Sequence, residues 1–242
     1  MEQIGVAIEK RNLYEQVVSN LENYIFLTEF ENKKLPSEQE LSKQFNVSKA
    51  VVREALKVLK DRGLIQSRNG DGSYVSKPQS GTIANAINRI IKMDKISNKN
   101  LHDIRLILET ASVKLAVLYI EPDEIKHLES TIDQMSDLAM PFEESTQIDV
   151  DFHVSLARAS RNDLLVTFVE IMMHLLRDYM FKCFSGPKYD KKCTLKEHRE
   201  ILKALKLKEQ EYAEKAILEH IFSARNFLHE YEQGCSLSEK NG

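Results

Sequence analysis

The chain has 242 residues, 42% hydrophobic and 29% charged, an ordinary globular balance that excludes a wholly disordered chain and allows one large domain or two ordinary ones. No apolar run approaches the roughly 20 residues needed to span a bilayer, which argues against an integral membrane protein. The net charge of -3 is unevenly spread: residues 33–76 hold nine Lys/Arg against five Asp/Glu, a local +4 that leaves -7 for the remainder. A small basic module joined to a larger acidic one follows. Three cysteines (Cys183, Cys193 and Cys235) are too few and too scattered for a disulfide framework. With 8 Gly and 5 Pro there is little room for a turn-rich β architecture. The opening MEQIGVAIEKRN lacks the apolar stretch of an export signal, so a cytoplasmic, mostly helical protein is expected.

In chain order, Leu13, Val17, Leu21, Tyr24 and Ile25 recur at three- and four-residue steps and predict a first amphipathic helix with these residues on its apolar face. Ser37-Glu38-Gln39-Glu40 has the form of a capping box and should open a short second helix ending near Phe45. Asn46-Val47 makes a tight turn, and Ser48 caps a third helix. On that helix Val52, Ala55, Leu56 and Leu59 form the buried stripe, Lys49, Arg53 and Lys57 fall opposite, and Gly63 stops it. Two strand-like runs, Leu64 to Arg68 and Ser73 to Val75, flank Asn69-Gly70-Asp71-Gly72 and predict a hairpin. Two helices with a short turn, followed by a hairpin, make a winged helix-turn-helix. This domain is placed at residues 1–76, with a polar Pro- and Gly-bearing linker at 77–81.

Beyond it only helical periodicity is found, predicting helices near 82–93, 98–119, 122–139, 144–160, 163–184, 194–206 and 209–232, with Thr146, Asn162 and Asp163 as possible caps. Residues 82–232 then form an all-α bundle large enough to enclose a ligand, and 233–242 a C-terminal tail. The fold class is mainly α.

A helix that buries one face and projects small and cationic residues from the other can lie in a DNA major groove. Three basic side chains alone favour a solvated face. Their order with the capping box and the Gly-tipped hairpin favours DNA. The stretch LPSEQELSKQFNVSKAVVREALKVLKDRGLIQSRNGDGSYV closely resembles the winged helix of the GntR family of bacterial transcription regulators. The resemblance implies that Gln39, Ser48, Lys49 and Arg53 contact a double-stranded operator, with Gly72 at the wing tip. In relatives the place of Gln39 usually holds Arg, and the third helix opens Ser-Arg-Thr where this chain has Ser48-Lys49-Ala50. Both changes lose a bidentate guanidinium, which puts the family's usual operator sequence, though not DNA binding, in question.

In the second domain Asp149 and His153 stand at i and i+4 on one helix face, while His198 and His220 lie twenty-two positions apart on later helices. Three imidazoles and a carboxylate suit a borderline divalent ion such as Zn²⁺, Ni²⁺ or Mn²⁺. By spacing alone such histidines are more often structural or exposed. DFHVSLARASRNDLL, EHREILKAL and ILEHI resemble the FCD effector domain of FadR-type GntR regulators, whose Asp and three His bind a metal within a helical bundle. LHDIRLILE matches an early helix of that domain, whose Arg meets an effector carboxylate. Arg105 is therefore either a carboxylate clamp or the partner of Glu109 in an i, i+4 pair. Asn162 matches a family Asn near the effector pocket, or is simply a helix cap.

The reading is a homodimeric DNA-binding regulator, a repressor of operator-bearing genes, that holds a divalent metal and a small carboxylate effector and has no catalytic residues. A metal-dependent enzyme using the Asp-His-His-His set is the alternative.

Overall fold

The computed structural model describes residues 13–27, 33–77, 79–137, 139–184 and 190–238. They divide into two compact units between Thr82 and Ile83. In the first, α1 (Leu13–Leu27), α2 (Glu38–Gln44) and α3 (Lys49–Asp61) precede the antiparallel strands β1 (Ile65–Arg68) and β2 (Gly72–Val75). The expected capping box forms: the Glu40 carboxylate accepts from the Ser37 backbone N–H at 2.8 Å, and Ser37 Oγ accepts from the Glu40 N–H at 3.2 Å. Ser48 Oγ accepts from the Val51 N–H and starts α3. Asn46, with φ 51°, turns the chain between α2 and α3.

The end of α3 is closed by Gly63, whose φ of 73° lets its N–H reach the Lys60 carbonyl while Leu64 N–H reaches that of Leu59. Leu59 and Leu64, brought together by this turn, are both buried. They join a core of Val17, Val18, Leu21, Ile25, Val52, Ala55 and Val75. The apolar face of α1 is thus rotated from the expected one. Val18 is inside, whereas Leu13 and Tyr24 are exposed, because the neighbouring α3 selects Val17-Val18 rather than a single line of residues.

The hairpin pairs Ile65 with Val75 and Arg68 with Gly72. Its tip is Asn69–Asp71, so Gly72 is the first residue of β2 rather than the tip. There its φ of 123° favours glycine. The sequence reading contained no partner for the hairpin. Lys34 supplies one, bridging to Tyr74, with Leu35 N–H donating to Ser73 O and Val75 N–H to Lys33 O.

Seven further helices follow: α4 (Ser80–Met93), α5 (Asn98–Tyr119), α6 (Pro122–Met135), α7 (Phe142–Arg158), α8 (Asp163–Phe184), α9 (Lys191–Leu207) and α10 (Gln210–Ser238). Most agree with the expected spans to within a few residues, and four differences have local causes. The last two residues of the expected linker, Ser80 and Gly81, already belong to α4. Helix α6 stops at Met135, where Ser136 Oγ bonds back to the Asp133 carbonyl. Helix α9 begins early because Asp190 accepts from the Lys192 N–H. Helix α10 continues to Ser238, through part of the expected tail. Thr146 is not a cap but lies inside α7, its hydroxyl donating to the Phe142 carbonyl. In this unit α5 packs on α7, α8, α9 and α10, and α6 on α7 and α9, around Val113, Phe152, Leu156, Ile201, Leu205 and Ile217.

Candidate metal centre and nucleic-acid interface

Apolar packing brings α5, α7, α9 and α10 together, and polar side chains meet in their midst. The turn between α9 and α10 explains how two distant histidines do so. Lys208, at φ 57°, closes α9 and its N–H reaches the Leu205 carbonyl, while Glu209 N–H reaches that of Ala204. An antiparallel helix pair sets residues equidistant from its turn face to face. His198 and His220 each lie eleven positions from Glu209, and their ring centroids are 4.5 Å apart. Asp149 and His153 come from one face of α7. One donor atom from each of these four buried residues lies within 4.8 Å of the others.

The shorter separations are informative. His220 Nε2 is 3.2 Å from His153 Nε2, and His198 Nε2 is 3.3 Å from Asp149 Oδ1. Two donors held about 2.0–2.1 Å from a tetrahedral ion would stand roughly 3.3 Å apart. Both Asp149 oxygens and both His198 nitrogens are buried without a hydrogen-bond partner. Orphaned buried polar atoms are costly, and a bound cation is one of the few ways to satisfy a carboxylate and imidazoles together. Burial raises the Asp149 pKa above its ordinary value, with smaller opposing effects from His153 and Arg105. Burial also holds His198 and His220 well below the usual histidine value. Neutral imidazoles at pH 7 are what metal ligation needs. The donor set can hold a borderline divalent ion.

Arg105 joins this cluster and Asn162 does not. Arg105 is almost fully buried on α5, where its Nε donates to Glu109 Oε1 at 2.5 Å and its Nη2 lies 3.1 Å from His153 Nε2. The i, i+4 pair therefore forms, yet the guanidinium also sits beside the candidate ligands. The other Glu109 oxygen is 2.5 Å from His153 Nδ1, a close ionic contact off the line of a hydrogen bond. Burial tends to raise the Glu109 pKa, but the charges of Arg105 and His153 outweigh it and leave the carboxyl well below its usual range. Asn162 is exposed at the start of α8, its oxygen accepting from the Leu165 N–H at 3.1 Å. It is a cap.

In the first unit Gln39, Ser48, Lys49, Arg53 and Gly72 are all exposed. Arg53 donates through Nη2 to Glu38 Oε2 at 3.2 Å, which ties α3 to α2. On the wing, Lys34 Nζ pairs with Asp71 at 2.6 Å, Tyr74 donates to the same carboxylate, and the Arg68 guanidinium lies 4.0 Å from the Tyr74 ring centroid.

Two families match this arrangement. Residues 13–75 match the bacterial regulatory proteins of the gntR family and residues 100–223 the FCD domain. The chain belongs to the GntR family, in its FCD-bearing, FadR-type branch. It is a DNA-binding transcriptional regulator, and the enzyme alternative falls, because its domains and relatives are those of regulators. It is 29% identical over 202 residues to the transcriptional regulator LutR of Bacillus subtilis, spanning 82% of this chain and 92% of LutR. It is 30% identical to the transcriptional repressor NanR of Edwardsiella tarda, across 88% of this chain and 84% of NanR. Among solved structures, Streptococcus agalactiae GntR superposes with a TM-score of 0.71 at 27% identity, over 88% of this chain and 99% of that one.

The sequence reading of this regulator passed over Glu197, whose Oε2 is 3.0 Å from His220 Nδ1. Its position immediately before His198 was the available signal, but adjacent residues point different ways on a helix. His102, also set aside, is buried, and burial lowers its pKa to about 4.

The buried triad of Arg105, Glu109 and His153 generates a stability prediction. Removing one charge of a buried ion pair leaves the other uncompensated, typically at a cost of about 3–5 kcal/mol. Glu109→Gln should therefore lose that much stability in urea denaturation of the helical unit. A loss below about 1 kcal/mol would show that the pair is not electrostatically isolated from water.

Proposed function

We propose that this regulator is a metal-dependent sensor of small carboxylates that represses transcription from palindromic operators as a homodimer. The observation that carries the reading is the convergence of Asp149, His153, His198 and His220 in a buried cluster with unsatisfied donor atoms. Zn²⁺, Ni²⁺ and Mn²⁺ are the ions such a set suits. The ion would supply positive charge to a carboxylate effector in a place water does not reach. Arg105, beside the same ligands, would receive a carboxylate through its forked donors once they are released from His153. Repression is supported by the designation of the NanR relatives as repressors. The DNA-binding domain would span residues 1–76 and the effector domain 82–232, and the protein would act in the cytoplasm, on the nucleoid when DNA-bound.

DNA contact is assigned to Gln39, Ser48, Lys49 and Arg53, with the wing beside Gly72. Their exposure on α2, α3 and the hairpin supports this. Arg53→Ala should weaken binding to a footprinted operator by about 1–3 kcal/mol without unfolding the domain. Unchanged affinity in fluorescence anisotropy would remove Arg53 from the interface.

A dimer is supported by an exposed apolar stripe on α5, made by Ile104, Ile107 and Leu118, and by Leu164 and Phe168 on the adjoining α8. Such a patch on a stable unit marks an interface. Light scattering should give twice the chain mass at micromolar concentration. A monomer with and without DNA would exclude the assembly.

Effector action requires unequal binding to two conformations, with coupling of about 1–3 kcal/mol in typical cases. Hydroxy- and dicarboxylates should alter operator affinity of the metal-loaded native protein but not of His198→Ala, as titrated against the operator complex. Equal responses would refute sensing through the metal while leaving the regulator intact.

A further inference from the structure

Resting on the metal reading above, we infer that Glu197 is a positioning residue that fixes the His220 ring so that Nε2 faces the cation site.

An imidazole offers two nitrogens, and which of them is a ligand depends on what the other one meets. For His220, Nδ1 meets Glu197 Oε2 at 3.0 Å. A carboxylate only accepts, so Nδ1 carries the hydrogen and Nε2 keeps its lone pair. For His153, Nε2 lies 3.1 Å from Arg105 Nη2. A guanidinium only donates, so this Nε2 also keeps its lone pair. The two Nε2 atoms stand 3.2 Å apart. Two acceptors at that separation need positive charge beside them, which Arg105 supplies to His153 and which a bound cation would supply to both. Glu197 thus holds the His220 ring in the arrangement that a cation site requires.

Glu197 is itself anchored. Cys193, one helical turn earlier on α9, donates its Sγ–H to Glu197 Oε1 at 3.4 Å. The glutamate therefore spans the α9–α10 pair at the level of the ligands, one residue from His198. It is the outward neighbour of one ligand in sequence and the partner of another in space.

The test uses the full chain without a histidine tag. Co²⁺ affinity is measured by competition with a chromophoric chelator for the native protein, Glu197→Ala and Glu197→Gln, with circular dichroism as the check on folding. Loss of an outer-shell partner typically costs about 10–100-fold in metal affinity. Glu197→Ala should lose that much and show an altered Co²⁺ visible spectrum. Glu197→Gln, whose amide oxygen can accept the same N–H, should stay close to native. Equal affinity and spectra for native protein and Glu197→Ala would overturn the inference and leave the metal reading standing. Failure of the native protein to bind Co²⁺, Zn²⁺, Ni²⁺ or Mn²⁺ would overturn both. Should Glu197→Ala not fold, long-range ¹H–¹⁵N spectra of the native protein decide. His220 protonated on Nδ1 supports the assignment, and His220 protonated on Nε2 overturns it.

Discussion

Glu109 faces two cationic or potentially cationic groups at once in a place that water does not reach: Arg105, one turn before it on α5, and His153 across the packing interface on α7. A buried guanidinium without a counter-charge would cost several kcal/mol, more than one large apolar side chain contributes by its burial. Sharing one carboxylate between two neighbours fixes α5 against α7 in a single register. The other polar groups of the bundle depend on that register, because Asp149 lies one turn before His153 on the same helix. The arrangement trades stability for position. Aliphatic side chains would pack the same space more favourably, but they would not hold four donor atoms in reach of each other.

The remaining donors are positioned by a different device. His198 and His220 owe their meeting to the Lys208–Glu209 turn, which folds α9 back along α10. A residue inserted within α9 or α10, between this turn and its histidine, would shift that histidine relative to the other by about 1.5 Å and 100° of rotation. A left-handed lysine at Lys208 is an uncommon choice where glycine would be easier. Its side chain offers one compensation, a bond of 2.9 Å from Nζ to the Ile120 carbonyl at the end of α5.

Much of this could be read from the residues alone, and the exceptions have a common cause. Capping residues such as Ser37, Ser48 and Gly63 act within a few positions, so their signals survive in one dimension. The i, i+4 relation of Asp149 to His153 does too. What failed depended on neighbours distant in sequence. Val18 was missed because α3 decides which side of α1 is inward. Lys34 was missed as a strand partner because its bridge reaches forty residues ahead to Tyr74. Glu197 was missed because its role is defined by a ring on the next helix. Asn162 is another local signal: its cap was legible from its place before α8, whereas a place in an effector pocket rested on resemblance alone. Of the two readings offered for Arg105, the pair with Glu109 forms, and the guanidinium also stands beside the candidate ligands.

The basic charge of the winged unit is less free than its count suggests. Arg53 is paired with Glu38, Lys34 with Asp71, and Arg62 with Glu22 at 2.5 Å. Cations already neutralised by a neighbouring carboxylate condense fewer external anions and can exchange one oxygen partner for another. The steepness with which affinity for a polyanion falls as salt is added reflects ions released from both surfaces. With three of the nine Lys and Arg of residues 33–76 internally compensated, the winged unit should show a gentler ionic-strength dependence than nine free cations would impose. Its long-range attraction to the phosphate backbone is correspondingly modest, which leaves a larger share of discrimination to contacts made after the partners have touched.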